Sequence, residues 1–173
     1  ARNGEEKMKK LEIVLKRNKY SIFKYKPDIC NLFYNNMEKI TAQRKIRFLM
    51  ELIRGYEVYY LMIENELVAY SVVSKGGGRY SFATEKDIVV GPYFVDEKFR
   101  RRGYSEILIG EILAFCKYEN AYDWIKKDNL PSLKCSFKVG FVVVDTADIL
   151  KPFRQIVRRD NGNGEYYILK YSK

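Results

Sequence analysis

The sequence predicts an α/β fold, with one mixed sheet of α+β character flanked by helices. Three observations carry that expectation. Two stretches of helical apolar spacing come first. Three β-rich runs then follow one another as a meander. The rest alternates β–α–β, and Gly91-Pro92 breaks the meander's last strand, which is therefore expected to splay or lose pairing near its end. The chain has 173 residues, 47% of them apolar, and neither repeat nor linker, so residues 1–173 are read as a single domain. Residues 1–10 are polar and expected to fray.

Leu11–Leu15 and Tyr20–Tyr25 are each compatible with a strand. Asp28 is suited to cap a helix running to about Lys39, with Ile29, Leu32, Phe33 and Met37 on one side. Thr41 is placed to cap a second helix, through Arg54, with Ile46, Leu49, Met50 and Ile53 at helical spacing and Gly55 as its stop. Tyr56–Ile63 and Leu67–Ser74 form a hairpin across Glu64-Asn65. Gly76-Gly77-Gly78 reads as a mobile turn before the strand Asp87–Val95. Leu108, Ile109, Ile112, Leu113, Phe115 and Cys116 give the next helix a wide buried face. Ala121–Lys126 is a strand centred on Trp124. Asn129 caps a short helix with Pro131 in its first turn, and Gly140 ends it. Phe141–Asp145 is a strand, and Phe153–Arg159 with Tyr166–Tyr171 is read as a closing hairpin around Asn161-Gly162-Asn163-Gly164.

Composition narrows the chemistry. There is no histidine, which excludes Ser-His-Asp and Cys-His catalysis and most transition-metal sites; no metal is expected. Cys30, Cys116 and Cys135 are odd in number and widely spaced, matching neither a zinc site nor a disulfide framework. No apolar run approaches the length of a membrane span, and no leader pattern opens the sequence, so the expected setting is cytoplasmic. The net charge of +10 suits an anionic partner, either a small ligand or a polyanion, and equally a solvated basic surface.

The most telling stretch is Arg100-Arg101-Arg102-Gly103-Tyr104-Ser105, where a strand turns through glycine into a helix N-terminus. Amides there lack intrahelical acceptors, the helix dipole adds positive potential, and arginines add full charges. That combination suits a diphosphate.

Val95 to Ser105 resembles the strand-to-helix motif of the GNAT acetyltransferase superfamily, Val-x-x-x-x-Arg/Gln-x-x-Gly-x-Gly/Ala. Asn129-Leu130-Pro131-Ser132 followed by Gly140-Phe141 resembles its second motif. Both occur in the right order, separated by one helix and one strand. The resemblance implies acetyl-CoA as co-substrate, lying in a V between two splayed parallel strands, Asp87–Val95 and Ala121–Lys126. Phe94 and Val95 would pair through their backbones with the pantetheine arm. Amides from Arg101 to Ser105, beside Arg100, would cradle the pyrophosphate, with Arg102, Gly103 and Tyr104 in that turn. Asn129 would contact the pantetheine region, and Ser132 and Phe137 would line the cofactor side of the short helix.

Two positions depart from the family pattern. Ser136 stands where many members carry a tyrosine that protonates the leaving thiolate, and Val89 stands where histone-modifying relatives carry a glutamate base. Asp87, two residues earlier on the same strand face, is the best carboxylate base by sequence, with Tyr93 on that face as a relay through water. The expected activity is N-acetyl transfer to a primary amine by direct attack in a ternary complex. A basic chain repels polycationic acceptors. The run Ile88–Val95 also resembles bacterial members linked to surface-polysaccharide synthesis, so a small anionic acceptor such as a nucleotide-linked amino sugar is expected. Protein or peptide acetylation is the alternative, as is a non-catalytic CoA-binding or basic nucleic-acid-binding module. No recognised motif supports nucleic acid as a partner, and a monomer or homodimer is expected.

Overall fold

The computed structural model describes residues 10–35 and 37–172. They divide into two compact units. One runs up to Ser74 and includes Pro92–Leu108; the other holds Lys75–Gly91 and the residues from Ile109 onward. The expected fraying of the first residues falls on positions outside the described ones.

The first unit contains β1 (Leu11–Lys16), β2 (Ser21–Tyr25), helix α1 (Ala42–Leu52), β3 (Tyr56–Ile63) and β4 (Glu66–Lys75, to Ser74). It also takes the Pro92–Val95 part of β5 (Ile88–Val95). Strands β1 to β4 pair antiparallel in chain order. The β3–β4 hairpin turns at Glu64-Asn65, whose φ angles of +48° and +68° are those of a tight two-residue turn.

The core of this unit is aromatic: Tyr25, Phe33, Phe48, Tyr56, Tyr60 and Tyr70 are all buried. Their hydroxyls explain why the helix expected from Asp28 to Lys39 does not form in the described part of that stretch. The Asp28 carboxylate accepts from the amides of Cys30 and Asn31, closing a local turn. Tyr25 donates to the Asn31 carbonyl and Tyr56 to that of Leu32. The Tyr60 hydroxyl accepts from the Tyr34 amide and donates to the Asn35 carbonyl. Phenols from the sheet thus satisfy backbone groups that a helix would have paired internally. Burial pushes the Tyr25 hydroxyl up to about 12, assisted by Asp28, and pushes those of Tyr56 and Tyr60 higher still, so all three remain protonated donors.

Thr41 caps α1 by accepting from the Arg44 amide. Phe48 and Glu51 are buried, while Ile46, Leu49, Met50 and Ile53 are exposed. Apolar spacing marked the helix correctly but not its buried side.

The second unit contains the Ile88–Gly91 part of β5, the Ile109–Phe115 part of α2 (Tyr104–Phe115), β6 (Ala121–Lys126), α3 (Leu130–Val139), β7 (Phe141–Leu150), β8 (Gln155–Arg159) and β9 (Tyr166–Tyr171). Its strands lie in the order β5-β6-β9-β7-β8. The parallel β5–β6 pairing has two register pairs, Ile88 with Ala121 and Val89 with Tyr122, and Gly91 follows at φ +108°. This is the interruption the Gly91-Pro92 pair predicts. The Gly76-Gly77-Gly78 turn, read as mobile, is tied down by Gly76 N–H to Asp87 O (2.9 Å) and Gly77 N–H to Ala83 O (2.8 Å).

The closing hairpin of β8 with β9 is not formed. Strand β8 pairs with β7, and β9 lies between β6 and β7, antiparallel to both. The Asn161–Gly164 segment packs on β7 instead of joining two neighbours. The Gly164 amide donates to Thr146 Oγ1, and a Cβ on Gly164 would lie 2.5 Å from the Ala147 carbonyl oxygen. Strand β7 also continues to Leu150, five residues beyond the expected end, which supplies the edge that β8 uses.

Candidate active site

In the first unit the site residues follow from the end of β5. The Asp96 amide donates to the Val68 carbonyl, fixing the strand end, and the Asp96 carboxylate caps a single 3-10 turn, Glu97–Phe99. Arg100 folds back: its Nε donates to the Val95 carbonyl at 3.2 Å, and its guanidinium lies 5.5 Å from the Phe94 ring centre. Phe94 in turn stacks on Tyr70. Arg100 therefore braces the strand end, and one of the Val95 backbone groups, its carbonyl, already holds a hydrogen bond.

Arg101 and Gly103 adopt left-handed φ values of +64° and +76° on either side of Arg102. Such turns gather successive amides into an anion-binding concavity. The Ile107 amide bonds to the Gly103 carbonyl, so the amides of Tyr104, Ser105 and Glu106 precede the helical ladder. A Cβ on Gly103 would meet only a Glu106 carboxylate oxygen, at 3.8 Å. Glycine is thus favoured here by φ rather than by internal crowding. Arg101 and Arg102 are exposed. The turn fits a pyrophosphate by donor type, charge and room. One feature opposes it: the Ser105 hydroxyl donates to the Glu106 carboxylate, so an anion must displace that contact or share it.

In the second unit Asn129 caps α3 by accepting from the Ser132 amide at 3.4 Å, and Gly140 ends the helix in the left-handed region. Phe137 is 47% exposed, while Ser132 is half-buried. Phe137 therefore presents its ring to solvent.

Ser136 is not exposed at all; its hydroxyl donates to Asp123 Oδ2 at 2.8 Å. Asp123 Oδ1 accepts from the Trp124 amide at 2.7 Å. Burial pushes the Asp123 carboxyl up to about 7, against the opposite pull of the Ser136 and Trp124 hydrogen bonds. Sequence reading passed over Asp123. Its signal was a charged residue at an inward position between Ala121 and Ile125.

The expectation that Asp87 acts as base does not fit its surroundings. It is buried and accepts four hydrogen bonds: from the Thr84 amide and hydroxyl, and from the Asn120 amide and side chain, at 2.7–2.9 Å. Burial alone would raise its carboxyl, but the Thr84 and Asn120 hydrogen bonds outweigh it and hold the group below the usual carboxylate range. A carboxylate so saturated takes up protons poorly and acts as a structural tie between two loops. Tyr93 is half-buried on the Pro92–Val95 part of β5. A polar cluster unnoticed in the sequence also lies in the first unit: Glu38 pairs with Arg44 and accepts from the Tyr70 hydroxyl. Among the described residues no helix is long and apolar enough to cross a membrane.

Comparison with known proteins agrees with this geometry. The profile of the acetyltransferase (GNAT) family matches residues 27–141, well over half of the chain. A GNAT family acetyltransferase from Elizabethkingia anophelis with acetyl-CoA bound is similar in fold, with 13% identity, 91% of this chain and 100% of that chain covered, and a TM-score of 0.60. A Bacillus subtilis acetyltransferase in complex with CoA matches with 16% identity, 76% and 86% coverage and a TM-score of 0.54. The ribosomal-protein-S18-alanine N-acetyltransferase from Escherichia coli matches with 11% identity, 87% and 92% coverage and a TM-score of 0.55. No curated protein matches the chain. The family's co-substrate is acetyl-CoA. The mixed α/β architecture, the turn at Arg100–Ser105 and the family match together make this chain a member of the GNAT acetyltransferase family, and an acyltransferase.

Proposed function

We propose that this chain transfers an acetyl group from acetyl-CoA to the primary amine of a small anionic acceptor, such as a nucleotide-linked amino sugar, by direct attack in a ternary complex. The observation that carries the donor half is the Arg101–Ser105 turn, with two left-handed residues, amides that precede the helical ladder and two exposed arginines. In the first unit Phe94 and Val95 offer backbone to pantetheine, and Arg100 moves off the Val95 carbonyl when that carbonyl is needed. In the second unit Asn129, Ser132 and Phe137 are the contact set on α3. The amine attacks the thioester carbon, its proton leaves through water with Tyr93 of the first unit as relay, and the thiolate takes a proton from solvent. Asp87 takes no part.

The acceptor assignment rests on the charge of +10, which repels polycations and attracts anions, and on the resemblance of Ile88–Val95 to bacterial relatives in surface-polysaccharide synthesis. A cytoplasmic bacterial setting goes with that reading. A protein N-terminus is the second reading, favoured by the fold similarity to the Escherichia coli ribosomal-protein acetyltransferase.

A thiol-release assay with acetyl-CoA separates them. The panel is a nucleotide-linked amino sugar, spermidine, an aminoglycoside and an alanine-initiated peptide. Turnover highest with the amino sugar supports the reading, and turnover confined to the peptide replaces it. A chain that CoA does not stabilise in thermal denaturation, yet binds nucleic acid with steep salt dependence, is a binding module instead.

A further inference from the structure

The first unit holds a cavity of about 670 Å³ that the transfer reaction described above does not use. Its walls come from the β1–β2 turn, from the Glu64-Asn65 turn of the β3–β4 hairpin and from the first turn of α2. Strand pairing brings the two β turns together. Lys16 stands opposite Ser21 across β1–β2, and Ser21 stands opposite Met62 across β2–β3, so both turns leave the sheet at the same end. The Arg17 amide closes the first turn on the Tyr20 carbonyl, at 2.9 Å.

The lining joins two kinds of chemistry. Lys16, Arg17 and Lys19 are exposed and bring three positive charges to it, against one carboxylate, Glu64. Among the described residues, no ion pair or side-chain hydrogen bond occupies Lys16 or Lys19. Phe23, Met62 and Tyr104 are half-buried and add apolar and aromatic surface. A cavity of this size is in the range of small-molecule sites. Aromatic walls offer a face for a planar base to stack on, and ammonium and guanidinium groups at the same opening pair with phosphate. An apolar ligand would leave the lysines unused, and a polycation would be repelled.

Position supplies a second argument. Tyr104 lines the cavity and is also the first residue of α2, its amide belonging to the Arg101–Ser105 turn that fits a pyrophosphate. Cavity and turn therefore adjoin within one unit, as a nucleoside and its diphosphate do within one ligand.

We propose that this cavity is a nucleotide subsite, in which Lys16 and Lys19 hold phosphate while Phe23 and Tyr104 flank the base. This rests on the acetyl-transfer reading given above, in which two ligands carry that chemistry: the 3′-phosphoadenosine end of CoA and the nucleotide of a nucleotide-linked acceptor. The subsite contributes affinity and orientation, and no bond is made or broken in it.

The test is calorimetry on the full chain and on the Lys16→Ala/Lys19→Ala double variant, whose altered side chains are exposed. The probes are CoA, dephospho-CoA, 3′,5′-ADP, inorganic pyrophosphate, and UDP added to the CoA-saturated chain. If the donor fills the cavity, the double variant weakens CoA by about 10-fold and dephospho-CoA by less, and UDP does not bind. If the acceptor fills it, UDP binds the CoA-saturated chain, the double variant weakens UDP by about 10-fold, and CoA is unchanged. In both cases Overhauser contacts should join protons of the bound base to aromatic ring protons. Unchanged affinity for every nucleotide overturns the proposal, and so does an equal loss for inorganic pyrophosphate, which would make the lysines a general source of positive potential. Thiol release from acetyl-CoA separates the two readings. If it proceeds while the double variant binds every nucleotide normally, the subsite fails and the transferase stands. If it is absent while 3′,5′-ADP or UDP binds through the lysines, the transferase reading fails and the subsite stands.

Discussion

The turn at Arg100–Ser105 and the β6–α3 segment both carry family motif residues, yet they are built from different materials. The turn works with backbone: left-handed φ at Arg101 and Gly103, amides ahead of the helical ladder, and two exposed arginines, Arg101 and Arg102. The β6–α3 segment works with buried side chains, and its central pair, Asp123 with Ser136, is hidden from solvent. A backbone site tolerates most side-chain changes but not a wrong φ or an obstructing group. A buried polar pair is sensitive to each atom and to pH.

Gly103→Glu gives the largest expected effect. It places a carboxylate where the anion would sit, and CoA affinity should fall by about 100-fold or more in calorimetry, with like charges and lost access acting together. Forcing a side chain to φ +76° costs about 1 kcal/mol, so the melting temperature should drop by only a few degrees. A collapse of the fold would break the contrast with β6–α3.

Asp87→Ala should cost about 3 kcal/mol in urea denaturation, because it strips the acceptor from four donors at Thr84 and Asn120. Activity per folded molecule should keep its pH profile. A profile that loses an acid limb would restore Asp87 as a base.

The Asp123 carboxyl is raised in the folded chain to about 7, from the 3.8 of an exposed aspartate. A group raised in this way binds its proton more tightly when folded. Its contribution is fully present below the unfolded value and is lost as pH rises toward 7. Stability should therefore fall between about pH 4 and pH 7, by up to about 4 kcal/mol, and Asp123→Asn should flatten that fall. Denaturant midpoints across that range are the measurement.

Glu106→Gln is the smallest effect. Removing a negative charge beside Ser105 and Gly103 should tighten CoA binding about two- to fivefold, more at low salt, while slightly weakening the first turn of α2. Weaker binding would mean that Glu106 helps arrange the amides rather than competing with the ligand.

What was legible in the sequence was local. Strand β6 has the bounds expected of it around Trp124, and α3 has the Asn129 cap and Gly140 stop that its own residues encode. The turn at Gly103 was legible for the same reason. What failed needed distant partners. Nothing within Asp28–Lys39 reveals that tyrosine hydroxyls from β2 and β3 will satisfy its backbone. The Asn161–Gly164 signal says that the chain turns, not that β7 already occupies the place beside β8. Asp87 looked like a base because its donors, Thr84 and Asn120, lie in loops whose convergence no pattern announces.

The tyrosine hydroxyls also set an order of events. The 28–35 segment has one local turn, in which the Asp28 and Asn31 backbones exchange hydrogen bonds, and its other backbone partners include hydroxyls of Tyr56 and Tyr60, which take their places only when β3 docks against β2. The segment is therefore a late arrival in folding and an early departure in unfolding. The Tyr34 and Asn35 amides, which donate to the Tyr60 hydroxyl, gain protection from solvent exchange only after the strands have zipped, and they lose it together when the aromatic core loosens.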